Sequence, residues 1–304
     1  MSKPLWLDTH IHVSDLDSDG TERPDFLQHL LAVLDVPEAD LRMVISPDGP
    51  RMARVGQSAQ GVTEGNEFIR SLVHAAPGKL YGSCMVNPHF LDASLAAMDQ
   101  AFGEWGFVQL GEFLQYAWNF EMNSPPAEKL VRRAVEFDIP VQIHLSTSNA
   151  LTHNSTHGMA QLEDLCNLAE RVPEAKYILA HAVGMLDDNP PVVDQYLAYV
   201  EGRFGRMPRN FWWEIRDFCS PGVRSVLERV DHDRLLAGTD WVTRVGPPFL
   251  PYGVVFNVQQ AEDNPYPPSI TRMVQFLQEA GAEAETIAAI GSGNALQLLK
   301  ITPY

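Results

Sequence analysis

Apolar and polar positions alternate along this chain in short blocks, and the blocks switch between two periods. Largely apolar runs rich in Val, Ile, Leu, Phe and Trp recur at 5–13, 41–46, 79–86, 106–113, 140–146, 176–183, 210–217 and 234–240. Their length and β-branched or aromatic content predict buried strands. Between them, 24–35, 63–76, 90–104, 124–137, 158–171, 192–204, 221–230 and a last stretch near 269–280 carry apolar residues at helical spacing. Eight strands alternating with helices predict a parallel sheet, and the count suits a closed (β/α)8 TIM barrel. An open doubly wound sheet is the alternative, but the first strand–helix junction has no glycine-rich phosphate loop.

Three segments interrupt the alternation. Residues 14–23 form a polar loop after the first strand. Residues 47–62, with Pro47, Gly49, Pro50, Gly56 and Gly61, read as a long loop. Residues 241–268 form a proline-rich insertion after the last strand. Each follows a strand C-terminus, the end at which barrel enzymes carry their sites. The 304 residues fit one barrel domain spanning 1–304.

Composition narrows the classes. A net charge of −17 argues against nucleic-acid and anionic-membrane partners, which need clustered Lys and Arg. No apolar run is long enough to span a bilayer, and the N-terminus has no apolar signal region. Cys84, Cys166 and Cys219 show no paired spacing, which points to reduced thiols and a cytoplasmic location.

The candidate chemistry lies at strand ends. On a regular strand Asp8, His10 and His12 share one face, so the two imidazoles can hold one ion from the same side. A lone His-x-His can equally be a pair of core histidines. Here, however, Glu112 ends the fourth strand, His144 the fifth, His181 the sixth and Asp240 the eighth. Six ligand-type residues in one ring predict a metal centre. Glu214 on the seventh strand reads either as a further ligand, as the partner of a ligating histidine, or as an ion pair with Arg216. Trp118, Trp212, Trp213, Trp241, Phe113 and Tyr116 fall at or after strand ends and predict an aromatic mouth for a bulky apolar substrate. His153, after strand five, and Arg216 are further candidates for substrate contact.

With DTHIH on strand one, single histidines on strands five and six, an aspartate on strand eight and IGSGNALQLLKI at the end, the chain resembles the amidohydrolase superfamily, in particular its amidohydrolase-related branch. The resemblance implies that His10, His12 and Asp240 bind one divalent ion. It also implies that His144 and His181 bind a second or orient substrate. Dinuclear members bridge the ions with a strand-four residue, often a carbamylated Lys and sometimes Glu. No Lys lies between Lys79 and Lys129, so Glu112 is the matching bridge.

Two chemistries follow. In hydrolysis, a metal-bound hydroxide attacks a carbonyl while Asp240 shuttles the proton. In oxidation, the same ligands hold two irons that activate O2 with help from an electron donor. The segments DTHIHVSD, GFVQLGEF, FWWEIRDF and LLAGTDWVTRVGPP resemble a small branch that includes a non-heme diiron monooxygenase of platensimycin and platencin biosynthesis. That resemblance implies a diterpenoid-like or acyl-CoA-type substrate and places iron ahead of zinc or manganese. Phosphates of such a substrate would need Arg203, Arg206 and Arg209, or Arg51 and Arg54. On this reading diiron hydroxylation leads and hydrolysis is the alternative. A homo-oligomer is compatible with either.

Overall fold

The computed structural model describes residues 3–17, 19–145, 158–182, 190–215, 222–242 and 270–302. Its strands are β1 (Leu5–Val13), β2 (Asp40–Pro47), β3 (Leu80–Cys84), β4 (Gln109–Phe113), β5 (Val141–His144), β6 (Tyr177–Ala180), β7 (Phe211–Ile215), β8 (Leu235–Ala237) and β9 (Trp241–Val242). All pair in parallel in the order β8-β7-β6-β5-β4-β3-β2-β1-β9. β8 and β9 are two pieces of one strand, separated by Gly238-Thr239-Asp240. One piece pairs with β7 and the other with β1, which brings the two edges of the sheet together. The fold is a (β/α)8 barrel, with helices following its strands.

Alternation along the strands divides the apolar residues into an outer and an inner set. Trp6, Met43, Ile143, Leu179, Trp213 and Leu235 join the core formed with the surrounding helices. Leu7, Val44, Ile178, Trp212 and Leu236, one position out of phase, pack inside against Ala295 and Leu298 of the C-terminal helix. That helix therefore plugs the barrel at the N-terminal end of its strands.

The stretch expected to be a loop at 47–62 is mostly helical. α1 (Phe26–Val33) joins β1 to β2, and β2 is followed by two helices, α2 (Gly49–Gln57) and α3 (Ala59–Ala75). Pro50 sits in the first turn of α2, where its missing N–H costs nothing. Ser58 starts α3 by accepting the Gly61 N–H on its hydroxyl at 2.9 Å. Gly56 and Gly61 are there for close approach rather than for turning. A Cβ on Gly61 would lie 1.9 Å from the Arg54 carbonyl oxygen, and one on Gly56 2.4 Å from the Trp118 indole nitrogen.

Among the described residues no helix is long and apolar enough to cross a membrane. Most of the proline-rich insertion, 243–268, lies outside the described residues, as does Cys219.

The close approach of α2 and α3 makes a prediction. Gly61→Ala should cost about 1–3 kcal/mol through overpacking and lower the melting temperature. Gly103→Ala, at an exposed helical position with nothing within 4 Å of the new Cβ, should leave stability unchanged or raise it. Paired thermal melts check both.

Candidate metal centre

At the C-terminal end of the strands, six side chains from five strands or their ends converge. β1 is irregular here: its register with β2 shifts between Asp8 and Ile11. Strict alternation fails across the shift, so the neighbours Thr9 and His10 both reach Glu214, at 3.1 Å and 2.9 Å. Asp8 does not join the imidazoles. It accepts from the Thr239 hydroxyl at 2.6 Å and the Thr239 N–H at 3.1 Å, fastening the break in the eighth strand. Beyond that break Asp240 takes a left-handed backbone (φ 53°) and turns its carboxylate to the histidines.

The hydrogen bonds behind the histidines decide which nitrogen faces inward. His10 Nδ1–H donates to Glu214 Oε2 at 2.9 Å. His12 Nδ1 lies 2.9 Å from the Ser46 hydroxyl and 3.2 Å from the Pro47 carbonyl. His181 Nδ1–H donates to the Leu145 carbonyl at 2.8 Å. With Nδ1 committed in each ring, the Nε2 lone pair points into the centre, the arrangement typical of metal-ligating histidines. His144 is turned the other way and presents Nδ1 to Glu112 Oε1 at 2.9 Å.

The inward atoms sit at coordination spacing. His10 Nε2 and His12 Nε2 are 2.9 Å apart. Glu112 Oε2 is 3.4 Å and 3.3 Å from them, and Asp240 Oδ1 3.5 Å and 3.4 Å. Four donors at ~2.0–2.2 Å from a common ion stand roughly 3.3–3.6 Å apart in a tetrahedron and about 3 Å apart in an octahedron. The quartet fits. Without a cation, inward lone pairs would face carboxylate oxygens at these distances. The other Glu112 oxygen, Oε1, lies 2.9 Å from His144 Nδ1 and 3.1 Å from His181 Nε2. One carboxylate thus stands between two pairs of imidazoles.

Electrostatics in the protein alone point the same way. Burial works against a charged His10, yet Glu214, then Glu112 and Asp240, outweigh it and hold its pKa well above 6.5. Burial also opposes a charged His12, whose pKa is raised by its bond to Glu112. Glu112 resists its own burial because His10 and His144 hold its pKa well below the carboxylate range. His144 is the exception: burial pushes it down to about 4. The centre attracts positive charge, whether as protons or as a metal ion.

The other expected site residues are distributed differently. Glu214 stands behind His10, outside the ring of inward-facing atoms. Trp213 is fully buried on the outer face of β7, and Trp241 is 2 % exposed in the same helix-side core. Trp212 belongs to the barrel floor at the far end. Consecutive strand residues take opposite faces, so Trp212 and Trp213 cannot both line a mouth. Tyr116 remains there, its ring 4.3 Å from that of His144, with Trp118 packed on Gly56. Arg216 and His153 lie outside the described residues. Three of the five basic residues suggested for phosphates are engaged in ion pairs. Arg203 pairs with Glu170 and Arg209 with Asp231 and Asp233, at the end of the barrel opposite the centre, while Arg51 holds Asp15 with two bonds. The residues that sequence reasoning missed are Thr9, Ser46, Gln109 and Gln142. Their signal was a polar side chain within an otherwise apolar strand.

A (β/α)8 barrel with histidines and carboxylates gathered at its C-terminal rim defines the class of metal-dependent barrel enzymes. The chain belongs to the amidohydrolase family, whose model matches residues 7–301. No curated protein matches it. Solved structures share the fold at low identity. 4-Oxalomesaconate hydratase from Rhodopseudomonas palustris superimposes with a TM-score of 0.68 at 15% identity, covering 97% of this chain and 96% of that one. 5-Carboxyvanillate decarboxylase from Sphingomonas paucimobilis gives 0.65 at 16%, covering 99% and 100%. A dihydroxybenzoic acid decarboxylase from Polaromonas, with bound manganese and the inhibitor 2-nitroresorcinol, gives 0.64 at 15%, covering 100% and 98%. These relatives are a hydratase and decarboxylases; none of the three is an oxygenase.

Two predictions follow from the centre. Glu112→Gln should keep the fold but lose at least the ~10–100-fold in metal affinity that even outer residues cost. Metal analysis beside circular dichroism measures it. Metal must also displace protons from His10, whose pKa lies well above 6.5. Affinity should therefore fall with decreasing pH, beginning above pH 6.5, as metal titrations across a pH series would show.

Proposed function

We propose that this chain is a metal-dependent hydrolase of small molecules. In this reading His10, His12 and Asp240 would hold one divalent ion and His144 and His181 a second, with Glu112 available to both. The observation that carries it is the approach of Glu112 Oε2 and Asp240 Oδ1 to the inward-facing Nε2 atoms of His10 and His12, at 3.3–3.5 Å. Zinc or manganese suits a mixed imidazole and carboxylate shell. When bound, such an ion supplies Lewis acidity, drawing charge from a carbonyl oxygen and acidifying water beside it.

The chain's own residues supply the proton handling. Asp240, 18 % exposed, borders both the centre and solvent. It takes the proton from the attacking water and returns it to the leaving group. His144, with its pKa near 4, is neutral around pH 7 and serves as a ligand or hydrogen-bond partner rather than as the acid. Tyr116 packs over it and shields that side of the centre from water.

Decarboxylation is the second reading, favoured by the activities named for two of the structural relatives. The diiron hydroxylation expected from the sequence loses two of its supports. Glu214 backs His10 instead of filling a coordination position, and Trp212, Trp213 and Trp241 do not form a mouth.

Assays with carboxylated lactones, carboxylated phenols and a hydrophobic acyl-CoA, in 18O-water with and without air, test the proposal. Hydrolysis predicts anaerobic turnover of a lactone, with label from water and loss of activity after chelation. Release of CO2 from a phenol acid would replace it with the second reading. A product oxygen derived from O2 would overturn both.

A further inference from the structure

Between the metal centre and the apolar floor, the barrel holds a layer of polar side chains where Val, Ile or Leu is usual. Thr9, Gln109, Gln142 and Glu214, from β1, β4, β5 and β7, are each at most 1 % exposed. They form one directed network. Gln109 Nε2 donates to the Thr9 carbonyl at 3.2 Å and to Gln142 Oε1 at 2.9 Å. With its oxygen so occupied, Gln142 turns its Nε2 to Glu214 Oε1 at 3.0 Å, beside the Thr9 hydroxyl at 3.1 Å. Glu214 Oε2 accepts from His10 Nδ1–H at 2.9 Å and from the His181 backbone N–H at 3.3 Å.

Four donors on two oxygens hold Glu214 in one orientation. Gly238 leaves it no alternative space, since a Cβ there would fall 2.0 Å from Oε1. Gln109 Oε1 has no hydrogen-bond partner although it is buried. An unsatisfied buried acceptor is costly, so Gln109 is there for what its amide N–H groups hold.

We propose that Gln142, aimed by Gln109, is a positioning residue for the metal centre. It fixes Glu214 so that a single carboxylate sets the ring of His10 and the left-handed backbone of His181 (φ 41°) together. His10 and His181 stand on opposite sides of Glu112, so the network would tune both halves of the centre. The proposal rests on the metal reading above.

The test is metal affinity in chelator-stripped protein, titrated with Zn2+ or Mn2+ against a chromophoric chelator. Gln142→Met keeps the length and removes the donor, and its Kd should rise ~10–100-fold. Gln109→Met should raise Kd in the same direction by less. The control is Tyr177→Phe, which removes a buried hydrogen bond to the Val172 carbonyl on the same barrel. It should lower the melting temperature and leave Kd unchanged. An unchanged Kd in Gln142→Met, or an equal rise in Tyr177→Phe, overturns the proposal while leaving the metal reading intact. If Gln142→Met does not fold, an unchanged Kd in Gln109→Met overturns it equally. Wild-type protein that takes up neither metal overturns the metal reading, and the proposal with it.

Discussion

The constraint on which the rest of this structure depends is the fixed direction of three imidazoles. Glu214 and the Leu145 carbonyl take the Nδ1 protons of His10 and His181, and Ser46 with the Pro47 carbonyl faces Nδ1 of His12. The Nε2 lone pairs then face the carboxylates of Glu112 and Asp240. Lone pairs facing one another in a low-dielectric interior are repulsive, and a cation removes the repulsion. The centre is therefore complete only with positive charge in it. Protons serve at low pH, and divalent metal is the natural occupant above it.

Much of the barrel is arranged around this requirement. The eighth strand breaks at Gly238-Thr239-Asp240, giving up ladder hydrogen bonds, so that Asp240 can turn inward and Gly238 can admit Glu214. β1 shifts register so that two adjacent residues serve the same carboxylate. The polar layer of Thr9, Gln109, Gln142 and Glu214 replaces apolar filling, and the loss is offset below by Leu7, Val44, Ile178, Trp212 and Leu236 closed by the C-terminal helix. Stability thus comes from the floor and the outer shell, while the upper interior is given to orienting ligands.

The strand and helix alternation was legible in the chain because each strand is short, apolar and bounded by an amphipathic helix. His10, His12, Glu112, His144, His181 and Asp240 could be singled out because polar residues at strand ends are conspicuous against such runs. Three things were not legible. The 47–62 segment looked like a loop because glycines that permit close helix packing are indistinguishable, in one sequence, from glycines that permit turns. The tryptophans looked like a mouth because residue type does not reveal which face of a strand a side chain takes. The three readings of Glu214, as ligand, histidine partner or ion pair with Arg216, could not be separated because its role depends on the register shift in β1, which brings Thr9 and His10 to it. The amidohydrolase family was legible from the same strand-end residues; hydroxylation was a finer reading than those residues support.

The central claim is that His10, His12, Glu112 and Asp240 form a metal shell of nitrogen and oxygen only. X-ray absorption at the metal edge of the purified protein tests it most directly. The account predicts nitrogen and oxygen neighbours at ~2.0–2.2 Å, with the outer-ring scattering of at least two imidazoles. A sulfur neighbour near ~2.3 Å, or a shell of water without imidazole, would contradict it.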